Sequence, residues 1–406
     1  MKSVLFVLAC IATPAWAQEA GLTLEGAVAL ARARAPLIAV AEGRRLIAQG
    51  RARNDGAFPN PTLEWRRENL NSPLQPDIFA TLQLPLDVTG RRLAIRAAGT
   101  ELTARGRADS SATVRQLEGD VVRIYWRAAL GAELLAIARE EREGRERVAD
   151  FDATRFKEGA VAEVVAMRTR LETDRARIAE ASARGEAARS RADLARALGM
   201  SADSLPTLAR IPTLTQLAPP PDEAAAWAHA TAQRPDLAAF RHAAAEADRR
   251  ATAERRGVVA DLQLVTGYKQ TAGFATGLVG VIVPLPLFSR NEGPRERTRG
   301  EWLVANAERR DAEHRMRGEV SAAIRAYSAM RDAIAGGAVG IDSRATDVAQ
   351  IAEATYREGA TSLVELVEAQ RARAESRASA LRWMVDVHLT VLELNRAMGA
   401  PLLEMP

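Results

Sequence analysis

The spacing of apolar residues changes several times along this chain, and each change predicts a different element. Residues 24–56 carry apolar side chains every three or four positions, which is the period of an amphipathic helix. Thr23 is suited to begin this helix, and Pro36 predicts a boundary or a kink within it. The period then changes to two over residues 62–68 and 78–86, which predicts a β-hairpin.

Both strands of this hairpin have one apolar side and one polar side. In the first strand, Leu63 and Trp65 alternate with polar residues such as Glu64. The second strand places these residues on its apolar side: Ile78, Ala80, Leu82, Leu84 and Leu86. Each strand is close to the roughly 9–11 residues of a tilted membrane strand. If the chain crosses a membrane after its first residues, we therefore expect it to cross with strands.

A long helix is predicted after the hairpin, from Gly90 to about Arg155. At 1.5 Å per residue this helix is about 100 Å long. Its apolar residues follow the three-four spacing of a coiled-coil seam: Val114, Leu117, Val121, Ile124 and Ala128. A second helix follows the turn at Gly159 and reaches Gly199. Its predicted seam consists of Val164, Met167, Leu171, Asp174, Ile178, Ala181, Gly185, Ala188, Ala192 and Ala195.

The same plan occurs twice in the sequence. Gly159 and Gly359 lie 200 positions apart, and each ends one helical pattern and precedes another. Other pairs keep nearly this offset: Pro85-Leu86 with Pro284-Leu285, Ala35-Pro36 with Arg234-Pro235, and Ala197-Leu198-Gly199 with Ala397-Met398-Gly399. Several landmarks in one register indicate that the chain is a duplication of one large supersecondary unit.

The repeats have the following predicted bounds. The first repeat covers residues 18–200, with its hairpin at about 60–87 and its tip near 156–162. A Pro-rich connector over residues 201–221 separates it from the second repeat, which covers 222–400 and has its hairpin at about 260–285 and its tip near 356–362. A tail covers residues 401–406. In the second long helix, Gly336, Gly337 and Gly340 predict a kink or a loosened turn.

The first residues have the pattern of an export signal. Lys2 precedes a short apolar run, and Ala15-Trp16-Ala17 forms a small-x-small cleavage site, so residues 1–17 are predicted to be a signal peptide. Cleavage there leaves a mature chain without cysteine, because Cys10 is the only one. Two alternatives remain open: a buried N-terminal helix, and lipidation of Cys10.

Composition favours long helices over compact globules. Aromatic residues make up 4% of the chain and charged residues 27%. The net charge of +4 comes from interleaved acids and bases, and no nucleic-acid-binding motif is present, so we predict no nucleic-acid partner. No nucleophile is paired with a base, and the histidines lack ligand spacing: His229, His242, His314 and His388. We therefore predict no enzyme, no cofactor and no metal site.

Four amphipathic strands are too few to close a barrel by themselves. In lipid, an open sheet edge leaves backbone groups unpaired at a cost of several kcal/mol each. Export, four strands and long helices together predict a cyclic oligomer that shares one barrel. The alternative is a soluble periplasmic helical protein with two surface hairpins.

Several of these features together resemble the outer-membrane efflux protein (TolC) family. They are the export signal, the duplicated plan, the twin glycine turns, and Pro85-Leu86-Asp87 followed by Gly90-Arg91-Arg92. The resemblance covers residues 22–399. The short length and the run Pro59-Asn60-Pro61-Thr62-Leu63-Glu64 resemble the heavy-metal-efflux, CzcC-like branch of this family.

The resemblance implies a fold and a function. Each chain of a homotrimer would give four strands to a shared transmembrane β-barrel in the outer membrane of a Gram-negative bacterium, and its duplicated long helical hairpins to a periplasmic α-barrel. The trimer would be the passive exit duct of a tripartite pump that exports metal ions or small toxic molecules. Its partners would be outer-membrane lipid, a periplasmic adaptor protein and an inner-membrane transporter of the RND type. The alternative is a soluble periplasmic coiled-coil adaptor or scaffold, which would need a β-rich lipoyl-like module.

The two tips are candidate adaptor contacts, because the family's tips contact the adaptor. The residues that correspond here are Glu158, Gly159, Ala160, Glu358, Gly359, Ala360 and Ser362. The alternative is that each glycine only ends a helix.

Glu365 and Glu368 lie three residues apart, and so on one helical face behind the second tip. In the resembling family, acids here constrict the tunnel entrance. Six carboxylates from three chains would favour cations, and their repulsion would raise their apparent pKa values. The alternative is a solvated charged face. The first repeat has Val165 in place of Glu365.

Four aromatic residues of the strands are candidates for the aromatic girdles of a barrel: Trp65, Phe79, Tyr268 and Phe274. Packing within the strands is the alternative for each of them.

Overall fold

The computed structural model describes residues 21–68, 70, 76–258, 261–288, 290–337 and 340–402. The predicted signal peptide, including Cys10, lies outside the described residues, as do residues 403–406.

The described residues in the first half of the chain form four helices and two strands. They are α1 (Leu24–Arg34), α2 (Pro36–Asp55), β1 (Thr62–Glu68), β2 (Asp77–Leu86), α3 (Arg91–Lys157) and α4 (Glu163–Ala197). A single 3₁₀ turn, Ala202–Ser204, lies in the connector. Among the described residues, no helix is both long enough and apolar enough to cross a membrane.

The second half has the same order, with one additional break. Its elements are α5 (Glu223–Gln233), α6 (Pro235–Arg256), β3 (Leu262–Thr271), β4 (Phe274–Ile282), α7 (Glu292–Ala335), α8 (Ile341–Arg357) and α9 (Leu363–Met398). The interruption predicted at Gly336, Gly337 and Gly340 is confirmed, because α7 ends and α8 begins on either side of it. Gly337 has a φ of +83°, which few other residues adopt.

The predicted helix ends follow from local chemistry. The Thr23 hydroxyl accepts a hydrogen bond of 3.2 Å from the backbone N–H of Gly26 and so caps α1. Pro36 is the first residue of α2, and Pro235 is the first residue of α6. Proline fits this position because the first N–H of a helix has no intrahelical partner. The boundary predicted at Pro36 is therefore confirmed.

The chain divides into two compact units. The first comprises Met1–Pro36, Gln116–Glu223 and Ser321–Pro406, and the second comprises Leu37–Arg115 and Ala224–Val320. The tips belong to the first unit, and the β-sheet belongs to the second.

The core of the first unit packs α3 and α9 against α1 and the connector. Tyr125 is buried, and its hydroxyl donates a 2.8 Å hydrogen bond to the carbonyl oxygen of Leu22. Trp126 stacks on the buried imidazole of His388, with 4.3 Å between ring centroids. The His388 Nε2–H donates to the carbonyl oxygen of Pro212 at 3.1 Å. These two rings therefore anchor the connector to the long helices.

The second unit contains one antiparallel sheet in the order β1-β2-β3-β4. The two predicted hairpins are thus joined through β2 and β3. Ala272 and Gly273 connect β3 to β4 with φ values of +48° and +85°, as in a two-residue turn with both φ positive. Within the described residues, β1 and β4 each pair on one side only, so both edges of the sheet are open.

The register separates the sheet into an apolar side and a polar side. Residues on the apolar side include Leu63, Trp65, Leu82, Leu84, Leu264, Tyr268, Val279 and Val281. Residues on the polar side include Glu64, Arg66, Thr81, Gln83, Lys269 and Thr276. The alternation predicted from sequence therefore continues across all four strands.

Two arginines tie the start of α3 to the second repeat. Arg91 pairs with Glu254 at 2.9 Å, and Arg92 pairs with Asp261 at 2.5 Å. The carboxylate of Asp87 accepts from the backbone N–H groups of both arginines, at 3.2 and 2.7 Å, and so caps α3. The run from Pro85 to Arg92, part of the family resemblance, therefore joins the two repeats at the base of the sheet.

Within the single chain, the seam predicted for α4 is wrong over most of its length, because it is not the face that packs against α3. Val164, Met167, Leu171 and Ile178 are each more than half exposed. The buried positions are instead Ala166, Thr169, Thr173, Ala176 and Glu180. The reason is close packing against α3: the hydroxyl of Thr173, which donates to the carbonyl oxygen of Thr169 at 2.9 Å, also lies only 3.3 Å from the carbonyl oxygen of Arg145. Small side chains allow this approach, so the larger apolar residues remain outside.

Candidate functional site

The two tips have the same backbone geometry. Gly159 and Gly359 have φ values of +75° and +78°. Each donates to the carbonyl oxygen three residues before it at 3.0 Å, and the following alanine donates to the carbonyl oxygen five residues before it, at 2.8 and 2.9 Å. This hydrogen-bond pattern is a Schellman motif, which ends a helix and requires a residue in the left-handed backbone conformation. Glu158 and Glu358 are exposed beside the glycines.

The helix that follows each tip begins differently in the two repeats. Ser362 accepts from the backbone N–H of Glu365 at 3.3 Å, and the Glu365 carboxylate accepts from the backbone N–H of Ser362 at 3.0 Å. This reciprocal pair is a capping box. Ala162 occupies the cap position of α4 and offers no side-chain hydrogen bond. The start of α9 is therefore the better capped of the two helix starts.

Sequence reasoning did not assign Glu365 its role as a cap. Its hydrogen bonds with the backbone and hydroxyl of Ser362 lower the pKa of this carboxyl in the single chain. Glu368, one turn further on, is exposed like Glu365. The raised pKa expected for a ring of copies remains a prediction about the assembly.

Sequence reasoning also missed the contact that joins the two tips. Asp152 of α3 is fully buried, and both of its carboxylate oxygens lie 2.9 Å from the hydroxyl of Tyr356 in α8. Phe151 packs edge-on against the ring of Tyr356 at 6.5 Å. Nothing in the sequence pairs residues 204 positions apart. The one signal of this contact in the sequence is that Tyr356 carries a hydroxyl group, whereas the first repeat has Phe156 at the corresponding position.

Burial controls the ionisation of this pair. It raises the pKa of Asp152, although the hydroxyl of Tyr356 and the charge of Arg155 oppose the shift. Burial and the hydrogen bond to Asp152 raise the pKa of Tyr356 to about 12. The phenol is therefore protonated at neutral pH and donates its hydrogen bond to the carboxyl group of Asp152.

A second buried group lies near the tips. Arg145 of α3 is 3.2 Å from Glu141 and 3.5 Å from the backbone carbonyl oxygen of Val367 in α9. Its second terminal nitrogen has no hydrogen bond and lies 3.9 Å from Glu172 of α4. Arg145 therefore links α3 to both neighbouring helices.

The strand aromatics fall on both sides of the sheet. Trp65 and Tyr268 are both paired with Ala80, so they share one row on the apolar side. Phe79 lies on the polar side, where Arg66 and Lys269 approach its ring at 5.0 and 5.4 Å. Phe274, the first residue of β4, has the register of the polar side. A girdle on the apolar side is therefore limited to Trp65 and Tyr268.

Two histidines have structural partners. Burial lowers the pKa of His388, and the hydrogen bond to Pro212 opposes this. His242 Nδ1 lies 2.8 Å from a carboxylate oxygen of Glu101. In the part of the chain that the structure describes, no group of three or more His, Cys, Asp or Glu is arranged to hold a metal ion.

Comparison with solved structures extends over nearly the whole chain. The outer membrane protein VceC from Vibrio cholerae has a TM-score of 0.76 at 17% identity, over 93% of this chain and 96% of that chain. The CmeC outer membrane channel of Campylobacter jejuni has a TM-score of 0.78 at 15% identity, over 99% and 95%. The open state of the MtrE outer membrane channel of Neisseria gonorrhoeae has a TM-score of 0.75 at 16% identity, over 94% and 90%.

This chain has the fold of an outer-membrane channel. The predicted fold class, mainly helical with long helices and four strands, is confirmed by these structures. No protein-family model matches the sequence, and no curated protein does. At these levels of identity the likeness concerns the fold.

Proposed function

We propose that this protein is the outer-membrane exit duct of a tripartite efflux pump and acts as a passive conduit. The observation that carries the proposal is that at least nine-tenths of this chain superimposes on each of three outer-membrane proteins, two of them described as channels. The four-stranded sheet fits this role, because one side is apolar, the other is polar, and both edges are open. A membrane barrel shared by several chains needs all three features in each chain, because the open edges must pair between subunits to close it.

The open edges support a homotrimer. Four strands cannot close a barrel, but three copies supply twelve, which is within the even-numbered range of such barrels. In this arrangement β4 of one subunit pairs with β1 of the next. All backbone groups at the edges then have partners in the membrane.

The helices of the first unit support the same assembly. α3 contacts α4 through Arg142 and Glu180 at 2.5 Å, and it contacts α8 through Asp152 and Tyr356. α4 and α8 both leave apolar residues exposed, namely Val164, Met167, Leu171, Ile178, Ile341, Val348 and Ile351. Two different apolar stripes on one subunit suit a head-to-tail interface that closes into a ring.

The tips are the proposed contact for a periplasmic adaptor, which in turn meets an inner-membrane transporter. Apart from the glycine itself and its two chain neighbours, no atom of the described residues lies within 4 Å of the position that a Cβ atom would occupy at Gly159 or Gly359. Another helix can therefore approach each apex closely. The proposed contact residues remain those predicted: Glu158, Gly159, Ala160, Glu358, Gly359, Ala360 and Ser362.

The proposed entrance gate combines charge with a tether. Glu365 and Glu368 are exposed behind the second tip, so three copies place six carboxylates around one axis. The hydrogen bond from Tyr356 to Asp152 holds the tip of one repeat against the other. Opening of the entrance requires this buried contact to shift or break.

The test is to locate the protein in the cell envelope and to measure its conductance. Heat-modifiable trimers in the outer-membrane fraction, which form ion-conducting pores in planar bilayers, are expected. A soluble periplasmic monomer would refute the duct and favour the scaffold alternative. Deletion followed by a toxicity screen over metal ions and small organic compounds then assigns the cargo and tests the heavy-metal branch.

A further inference from the structure

The segment that follows β4 is unusually apolar and exposed. Leu285 and Leu287 are each 70% exposed, and Phe288 is 100% exposed. These residues lie at the base of the sheet, near the strand ends that Arg91 and Arg92 tie together. Within the described residues, no part of the second unit covers them.

The apolar side of β4 adjoins this segment. Val279 and Val281 lie on the apolar side of the sheet, and Val283 and Leu285 follow directly after the end of β4 at Ile282. The chain then turns, because the backbone N–H of Leu287 donates to the carbonyl oxygen of Leu285 at 2.9 Å. Val88 likewise follows the end of β2, and it is also exposed. The exposed apolar surface therefore adjoins the end of the face that the proposed duct turns toward lipid.

Two prolines prevent this apolar segment from continuing the hydrogen-bonded edge of the sheet. Pro284 and Pro286 have no backbone N–H, so residues 283–287 cannot extend the ladder onto the strand of a second copy. Fewer unpaired donors also lower the cost of placing this backbone at the border of a membrane. Either lipid or a neighbouring chain could cover this apolar surface, and the two prolines favour lipid.

The height of the sheet places the segment at the border of the bilayer. The ten residues of β3 rise about 33 Å along the strand, and a tilt of about 40° reduces this to about 25 Å, the height of the apolar band of such barrels. Residues beyond the strand ends then lie at the level of the lipid headgroups. Arg290, which follows Phe288 by two positions and is exposed, suits the lipid phosphates.

We infer that Leu285, Leu287 and Phe288 form a membrane-interface anchor, which inserts into the phospholipid leaflet on the periplasmic side of the outer membrane. This inference rests on the proposed function, since it needs the sheet to span the membrane. It assigns a lipid contact to a segment outside the barrel strands. The anchor would set the depth at which the barrel sits.

Depth measurement by spin labelling tests the anchor. The protein is produced with Cys10, its only native cysteine, replaced by serine, so that only the introduced cysteine is labelled, and it is reconstituted as the trimer in vesicles of phosphatidylethanolamine and phosphatidylglycerol. A nitroxide is attached at F288C. V279C on the apolar side of the sheet and R196C on an exposed helical surface are the matched controls, the latter side chain being 79% exposed. Collision rates with oxygen and with a water-soluble nickel complex are then compared.

The expected result is a ratio of oxygen to nickel collisions at position 288 that is several-fold higher than at position 196 and lower than at position 279. A ratio equal to that at position 196 places the segment in water and overturns the inference. Shielding from both reagents places it against a second copy and also overturns it. If position 279 itself behaves as aqueous, the proposed membrane barrel fails first.

Discussion

Replacing Tyr356 with phenylalanine removes one hydrogen-bond donor from a buried carboxylate. Asp152 is fully buried, and both of its oxygens lie 2.9 Å from the phenol oxygen. Arg155 lies 4.0 Å away, which is too far for a hydrogen bond. In Y356F the carboxylate therefore stays buried and loses the hydroxyl that binds it. The two tips then lose their polar tether while the aromatic ring remains.

The magnitude follows from the charge of the acceptor. A hydrogen bond to a charged group contributes about 1.5–3 kcal/mol. Since about 1.4 kcal/mol is a factor of ten, the backbone amides in the last turns of α8 should exchange about 10- to 150-fold faster in Y356F. Tyr327→Phe is the matched control, because its hydroxyl donates to a neutral carbonyl oxygen, that of Ala218, at 3.0 Å. That bond is worth about 1 kcal/mol, or roughly fivefold.

Hydrogen exchange followed by mass spectrometry measures this difference at pH 7, in peptides covering residues 341–357 for Y356F and in peptides around Tyr327 for Y327F. The effect of Y356F should shrink in acid, because the raised pKa of Asp152 allows it to become neutral there. Exchange in Y356F that is no faster than in Y327F would refute the tether, since the same chemical change would then matter equally at both tyrosines.

Three further predictions concern the tips and the core. Glu365→Gln with Glu368→Gln keeps the capping geometry and removes the charge, so single-channel conductance should rise and cation preference should weaken; unchanged selectivity rejects the acidic ring. Gly359→Ala and Gly159→Ala each place a Cβ atom on a residue with a positive φ, of +78° and +75° respectively. Each should lower the unfolding free energy by about 1 kcal/mol, measured by thermal melts. No loss of stability would mean that the turn relaxes to another conformation. Burial lowers the pKa of His388 in the folded state, so the unfolded chain binds a proton more readily than the folded chain does. The melting temperature should therefore fall as pH drops below about 6.5. His388→Asn should flatten that slope, and an identical slope would show that other groups cause it.

Local chemistry allowed much of this fold to be predicted from sequence. The alternation at Leu63, Trp65, Leu82 and Leu84 specifies which side of a strand is apolar, because neighbouring side chains of a strand point to opposite faces. The glycine turns end the helices at the expected positions, because only glycine adopts their positive φ without strain. These features depend on residues close together in the chain, and so periodicity and turn chemistry identify them.

Choices between similar helix faces were decided by tertiary packing. On α4, the stripe from Val164 to Ile178 is more apolar than the one through Thr169 and Thr173, yet the second stripe is buried. Burial there is decided by how closely α3 approaches. The hydroxyl of Thr173 lies 2.9 Å from the carbonyl oxygen of Thr169 in its own helix and 3.3 Å from that of Arg145 in α3, a separation of the helices that larger side chains would prevent.

The pairing of distant residues was likewise decided by the fold alone. Asp152 and Tyr356 belong to different repeats, and neither residue type predicts the other. The joining of β2 to β3 also depends on chain segments about 180 residues apart. The sequence determined periods, caps and turns, because these depend on neighbouring residues. The tertiary structure decided which surfaces meet, since that depends on shape and on the burial of charge across the whole chain.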